Sequence, residues 1–93
     1  MAEEKILTKH PQGKSGKNIS RQKYDTLKRA ILLTLKNKEL THTELFNNLN
    51  KSLKGKFPGN VSWYGETVKL DLEAREILER TTSKPQKYRI KSR

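Results

Sequence analysis

The side chains best suited to holding a charged partner cluster near the C-terminus. In Lys87-Tyr88-Arg89-Ile90-Lys91 the cations alternate with an aromatic and a β-branched residue. If this stretch is a strand, period two puts Lys87, Arg89 and Lys91 on one solvent face. A row of cations at strand spacing suits a phosphate backbone. The same pattern equally suits an edge strand that lysine and arginine protect from pairing with another chain. Arg80 and Lys84 precede the row and Arg93 follows it, with no acidic residue after Glu79. A second basic group, Lys5, Lys9, Lys14 and Lys17, follows the N-terminal glutamates. Its Gly13-Lys14-Ser15-Gly16-Lys17 segment lacks the spacing of a phosphate-binding loop, and no strand is evident before it. A flexible basic arm over residues 1–19 is the expectation there.

Other chemistry is sparse. The two histidines, His10 and His42, have no neighbouring ligand set at metal-binding spacing. No serine or threonine stands in an arrangement with a base that would activate it. Glu73, Glu76 and Glu79 read as exposed carboxylates near a helix end rather than an acid cluster. No enzymatic activity, cofactor or metal is expected. Cysteine is absent, which excludes disulfides and thiolate ligands and suits a reduced compartment.

The charge balance supports a polyanionic partner. Lys and Arg number 21 against 10 Asp and Glu, a net +11 over 93 residues. Each phosphate that a lysine neutralises releases condensed counterions, so such a chain favours nucleic acid. A lysine-rich surface kept for solubility gives the same balance. Hydrophobic residues make up 31% of the chain, enough for one domain with a thin core. No apolar run approaches the roughly 18 residues of a membrane span, and the N-terminus has no apolar signal segment. A cytoplasmic protein without membrane contact is the expectation.

Three helices and a hairpin must position these charges. Ser20 can cap a first helix, about residues 21–36, whose Tyr24, Leu27, Ile31 and Leu35 share a face that Ala30 and Leu32 widen. Thr41-His42-Thr43-Glu44 is a capping box that opens a second helix bearing Leu45, Phe46, Leu49 and Leu53. Gly55 stands where a left-handed cap residue belongs. Val61, Tyr64, Val68 and Leu72 then mark a third helix over about 62–75, with Gly65 suited to close helix contact. Ile77-Leu78 and 87–91 read as two strands joined by the turn-rich 81–86, with Tyr88 and Ile90 facing inward. The fold class is therefore α+β, mostly helical: a three-helix bundle followed by a C-terminal β-hairpin over residues 20–91.

This order resembles the winged helix-turn-helix superfamily. The stretch from Val68 to Arg80 is similar to a recognition helix running into the first wing strand, and Lys84 to Ile90 resembles a wing tip and its return strand. The chain as a whole resembles small uncharacterised bacterial winged-helix proteins. The resemblance implies DNA binding, with the third helix in the major groove and the wing on phosphates. It would place Ser62, Glu66, Lys69 and Glu73 on the exposed face of that helix. Glu66, Asp71, Glu73, Glu76 and Glu79 conflict with this, because clustered carboxylates repel the phosphate backbone. The expected nucleic-acid contacts are thus Lys14, Lys17, Ser62, Lys69, Arg80, Lys84, Lys87, Arg89 and Lys91, joined by Lys23, Lys28 and Arg29 of the first helix. The alternative is a protein-binding adaptor or homodimer that docks through helix three. Trp63 and Leu70 lie opposite its apolar face, and with Phe57 they either pack beneath Ile6, Leu7 or Ile19 or form an exposed patch.

Overall fold

The computed structural model describes residues 4–13 and 16–91. The chain is α+β, with three helices and two small antiparallel sheets. Strand β1 (Lys5–Leu7) pairs with β2 (Asn18–Ser20), and α1 (Arg21–Thr34) follows directly. Then come β3 (Leu40–Thr41), α2 (His42–Leu53), α3 (Val61–Ala74), β4 (Leu78–Arg80) and β5 (Lys87–Ile90).

Each helix begins where a side chain can satisfy an orphan backbone donor. The Ser20 hydroxyl accepts from the Lys23 N–H at 3.3 Å. Thr41 and Glu44 form the expected reciprocal box, at 3.2 Å and 2.9 Å. Asn60 caps α3 by accepting from the Trp63 N–H at 2.9 Å. Gly55 has φ +72°, as its cap position requires. The end of α3 has no glycine. Glu76 takes the left-handed conformation there (φ 62°), and the Ile77 N–H closes back on the Leu72 carbonyl at 2.9 Å.

The helices meet over Tyr24, Leu27, Ile31, Leu45, Leu49, Val68 and Leu72, all buried. Fully burying each of the aliphatic side chains among them stabilises the fold by roughly 1.5–3 kcal/mol. Gly65 lets α2 and α3 approach, since a Cβ there would stand 2.9 Å from the Phe46 ring.

The C-terminal strands are not an isolated hairpin. β4 pairs with β5, and β3 adds to the other edge of β5 through Leu40↔Tyr88 and Thr41↔Lys87, giving the order β3-β5-β4. Tyr88 faces the core, whereas Ile90, expected inward, is 36% exposed. Period two puts it on the same face as Tyr88, but near the end of the strand it lines an open groove beside α1.

The N-terminal segment also departs from expectation. Within 4–13 and 16–20 it forms a docked hairpin rather than a free arm. Ile6 pairs with Ile19, which is buried in the core. The buried Thr8 hydroxyl accepts from the Lys17 N–H at 2.9 Å. Gly16 is required for that approach, because a Cβ would overlap the Thr8 carbonyl. Three-residue strands are too short to show a period, so only the isoleucines hinted at them.

Candidate nucleic-acid interface

Two buried charge networks run along α3. Lys69, expected to reach a phosphate, is 1% exposed. Tyr88 of β5 reaches this side of α3, with the Lys69 ammonium 4.3 Å from the centre of its ring. An ammonium is buried at a cost of several kcal/mol unless it is paired. Glu73 at 2.9 Å and Glu66 at 3.3 Å supply the pairing. Arg80 joins from β4, 2.5 Å from the second Glu73 oxygen, and its hydrogen bond to Glu73 raises the guanidinium pKa. Burial pushes the Glu66 carboxyl up, but His42 at 2.7 Å and Lys69 outweigh that and hold it below the usual range. Lys69 and Glu73 are therefore not on an exposed recognition face.

Asp71 organises the second network and is wholly buried. It accepts from the Tyr24 hydroxyl and from Arg75 Nε at 2.9 Å. It also accepts from the Lys9 backbone N–H at 2.8 Å, which fastens the N-terminal hairpin to α3. Burial, reinforced by the hydrogen bond to Asp71, raises the Tyr24 phenol well above its ordinary value.

The same arithmetic of pairs consumes much of the basic row at the C-terminus. Arg89 reaches Glu79 at 2.6 Å and Glu39 at 2.8 Å, while Lys91 reaches Glu76 at 2.7 Å. Among the described residues of this region, only Lys84, exposed, and Lys87, half-buried, are cations without an ion pair. Among the described residues every carboxylate is engaged internally, in an ion pair or, for Glu44, in the capping box. The acidic cluster that argued against α3 as a phosphate neighbour is thus spent on Lys69, Arg75, Arg80, Arg89 and Lys91.

The other unpaired cations lie elsewhere. Lys17 is exposed on the N-terminal hairpin, and Lys14 lies outside the described residues. On α1, Lys23 sits over the Tyr64 ring at 4.9 Å, while Lys28 and Arg29 form no ion pair among the described residues. Sequence reasoning missed a third group, Lys51, Lys54 and Lys56, exposed around the end of α2 and the turn into α3. A signal was available: the chain has no acidic residue between Glu44 and Glu66. Ser62 lies beside this turn, its hydroxyl accepting from Asn50 at 3.3 Å. Trp63 is 47% exposed, so it is not a core residue, and it lies edge-on to Tyr64. Leu70 and Phe57 are half-buried. The structure thus separates the expected contacts: Lys69 is internal, Arg80, Arg89 and Lys91 are paired, and Lys17, Ser62, Lys84 and Lys87 remain accessible.

Among the described residues no helix is long and apolar enough to cross a membrane, and no group of acidic and histidine side chains is arranged to hold a metal ion. Neither a curated protein nor a solved structure matches the chain. A family model does match, over residues 5–88, which takes in all three helices and every strand except the last two residues of β5. The chain belongs to DUF6958, a family of unknown function.

Proposed function

We propose that this chain is a small DNA-binding domain of winged-helix type that grips duplex phosphates through its unpaired lysines. The observation that carries the reading is the division of charge. The described carboxylates are consumed internally, so the positive surplus among the described residues resides in cations that no carboxylate holds. The arrangement of α2, its turn and α3, followed by β4 and β5, supports the same reading by analogy of form. Thr41, at the start of α2, pairs with Lys87, and Lys51, Lys54 and Lys56 follow around the end of the helix. The two cation groups therefore bracket α2. Contacts of this kind position a duplex and bind it in a salt-dependent manner without reading bases.

Fluorescence-anisotropy titration of a mixed-sequence duplex at low and physiological salt tests this. The Lys51→Glu/Lys54→Glu/Lys56→Glu variant should bind weakly, and its log–log salt slope should fall by about 0.9 for each phosphate that is no longer neutralised. Absence of binding at low salt, or an unchanged slope in the variant, defeats the reading. A second reading, an adaptor that docks through α3, has the exposure of Trp63 in its favour. Trp63 is the chain's one tryptophan, so quenching of its fluorescence by a protein partner but not by DNA would favour that reading.

A further inference from the structure

The outer face of α1 carries a feature that phosphate binding does not use. Leu33 is 65% exposed, the most exposed large hydrophobic side chain among the described residues. It stands between two shallow grooves. One, of about 540 Å³, runs toward β5 and is floored by Leu32 and Ile90. The other, of about 430 Å³, runs toward the end of α2 over Ala30 and Leu53. Arg29 lines both grooves. Lys28 and Lys36 stand on the first and Lys56 on the second, and none of these four cations has an ion-pair partner among the described residues. The one carboxylate present, Asp25, already lies 3.8 Å from Arg21.

From this apolar centre and basic rim we infer that the α1 face is the docking site for an acidic amphipathic helix of a partner protein. An apolar stripe on such a helix would cover Leu33, and its flanking carboxylates would meet Arg29, Lys36 and Lys56. A second copy of the chain fits poorly, because a symmetric contact sets Arg29 and Lys36 against like charges and brings together two molecules of +11. Nucleic acid could use the rim, but phosphates gain nothing from Leu33, Ile90 or Leu53. The inference does not rest on the DNA reading.

The test uses the ¹⁵N-labelled full chain and a synthetic 18-residue peptide with leucine along one helical face and glutamate elsewhere. The control peptide has the same composition with its leucines dispersed around the helix. Saturable shift changes should centre on residues 29–36 and Leu53, with binding at least about tenfold tighter than the control's. Leu33→Asp, a change at an exposed position, should weaken binding at least about tenfold, as should Arg29→Glu/Lys36→Glu, while Leu33→Met retains it. Leu33→Asp should leave duplex binding intact, so this inference and the DNA reading fail separately. Equal binding of the two peptides would show attraction by charge alone and overturn the proposal. So would indifference to Leu33→Asp, or a dimer in sedimentation velocity that Leu33→Asp dissolves.

Discussion

The buried side of α3 and the turn at the end of α2 use the same residue type in opposite ways. Lys69 is enclosed by two carboxylates and an aromatic ring, and its charge contributes to the fold. Lys51, Lys54 and Lys56 are open to solvent without a partner among the described residues, and their charge is available. Net charge does not distinguish these cases. What separates them is whether a carboxylate lies within a few ångströms, and in this chain the carboxylates are concentrated on and after α3. A strongly basic domain can thus have its charges paired along α3 and leave them unpaired around the turn that precedes it.

The largest effect should come from breaking the enclosed side. Lys69→Ala leaves Glu73 buried with only Arg80 to meet it, and removing one member of a buried pair costs about 3–5 kcal/mol. For a domain of this size that lowers Tm by more than about 10 °C. Lys54→Ala, at an exposed position, should stay within about 0.5 kcal/mol. Thermal unfolding followed by circular dichroism measures both. Equal, small shifts would mean that Lys69 is not held by its partners, and the contrast between the two regions would collapse.

The helices were legible because their signals are local: the Ser20 cap, the Thr41–Glu44 box and the spacing of Tyr24, Leu27 and Ile31 each need only one turn of chain. The strand at Lys87–Ile90 was legible for the same reason. β3 was not, because two residues have no period and Leu40–Thr41 reads as the approach to a cap. The end of α3 was blurred by a glutamate, not a glycine, in the left-handed position. For the site, lysines seen without their neighbours all look alike. Glu66, Lys69 and Glu73 do stand at helical i+3 and i+4 spacing, and so do Asp71 and Arg75. That pattern announced paired charges, but it could not say that β5 and the N-terminal hairpin would bury them.

A smaller effect should appear at alkaline pH in the Asp71 network. The folded Tyr24 phenol titrates above its ordinary value of about 10, because burial and the Asp71 carboxylate disfavour the phenolate. Its contribution to stability is therefore complete below about pH 10 and is lost as pH rises toward the folded value. Ultraviolet difference titration against a Tyr24→Phe variant should show the Tyr24 phenol lagging, in the folded protein, behind its own titration in denaturant. Asp71→Asn should reduce the lag by removing the negative charge. If Tyr24 ionises over the same range in the folded protein as in denaturant, the network is open to water and Asp71 is not the anchor of the hairpin.

The smallest effect probes the border between the two kinds of charge. Arg89 is paired with Glu39 and Glu79, yet its side chain remains 46% exposed, so it belongs fully to neither region. Exposed ion pairs contribute little to stability, and Glu39→Gln/Glu79→Gln should leave Tm nearly unchanged. The same substitutions free a cation beside Lys87 on β5 and remove two negative charges. If β5 lies on phosphate, duplex affinity at low salt should rise by about threefold, and the salt slope should steepen by up to about 0.9. Arg89→Gln introduced on top of the double variant should then lower affinity again, which separates a direct contact from a general gain in charge. Unchanged affinity in the double variant would place the duplex away from β5 and leave the lysines at the end of α2 as its principal hold.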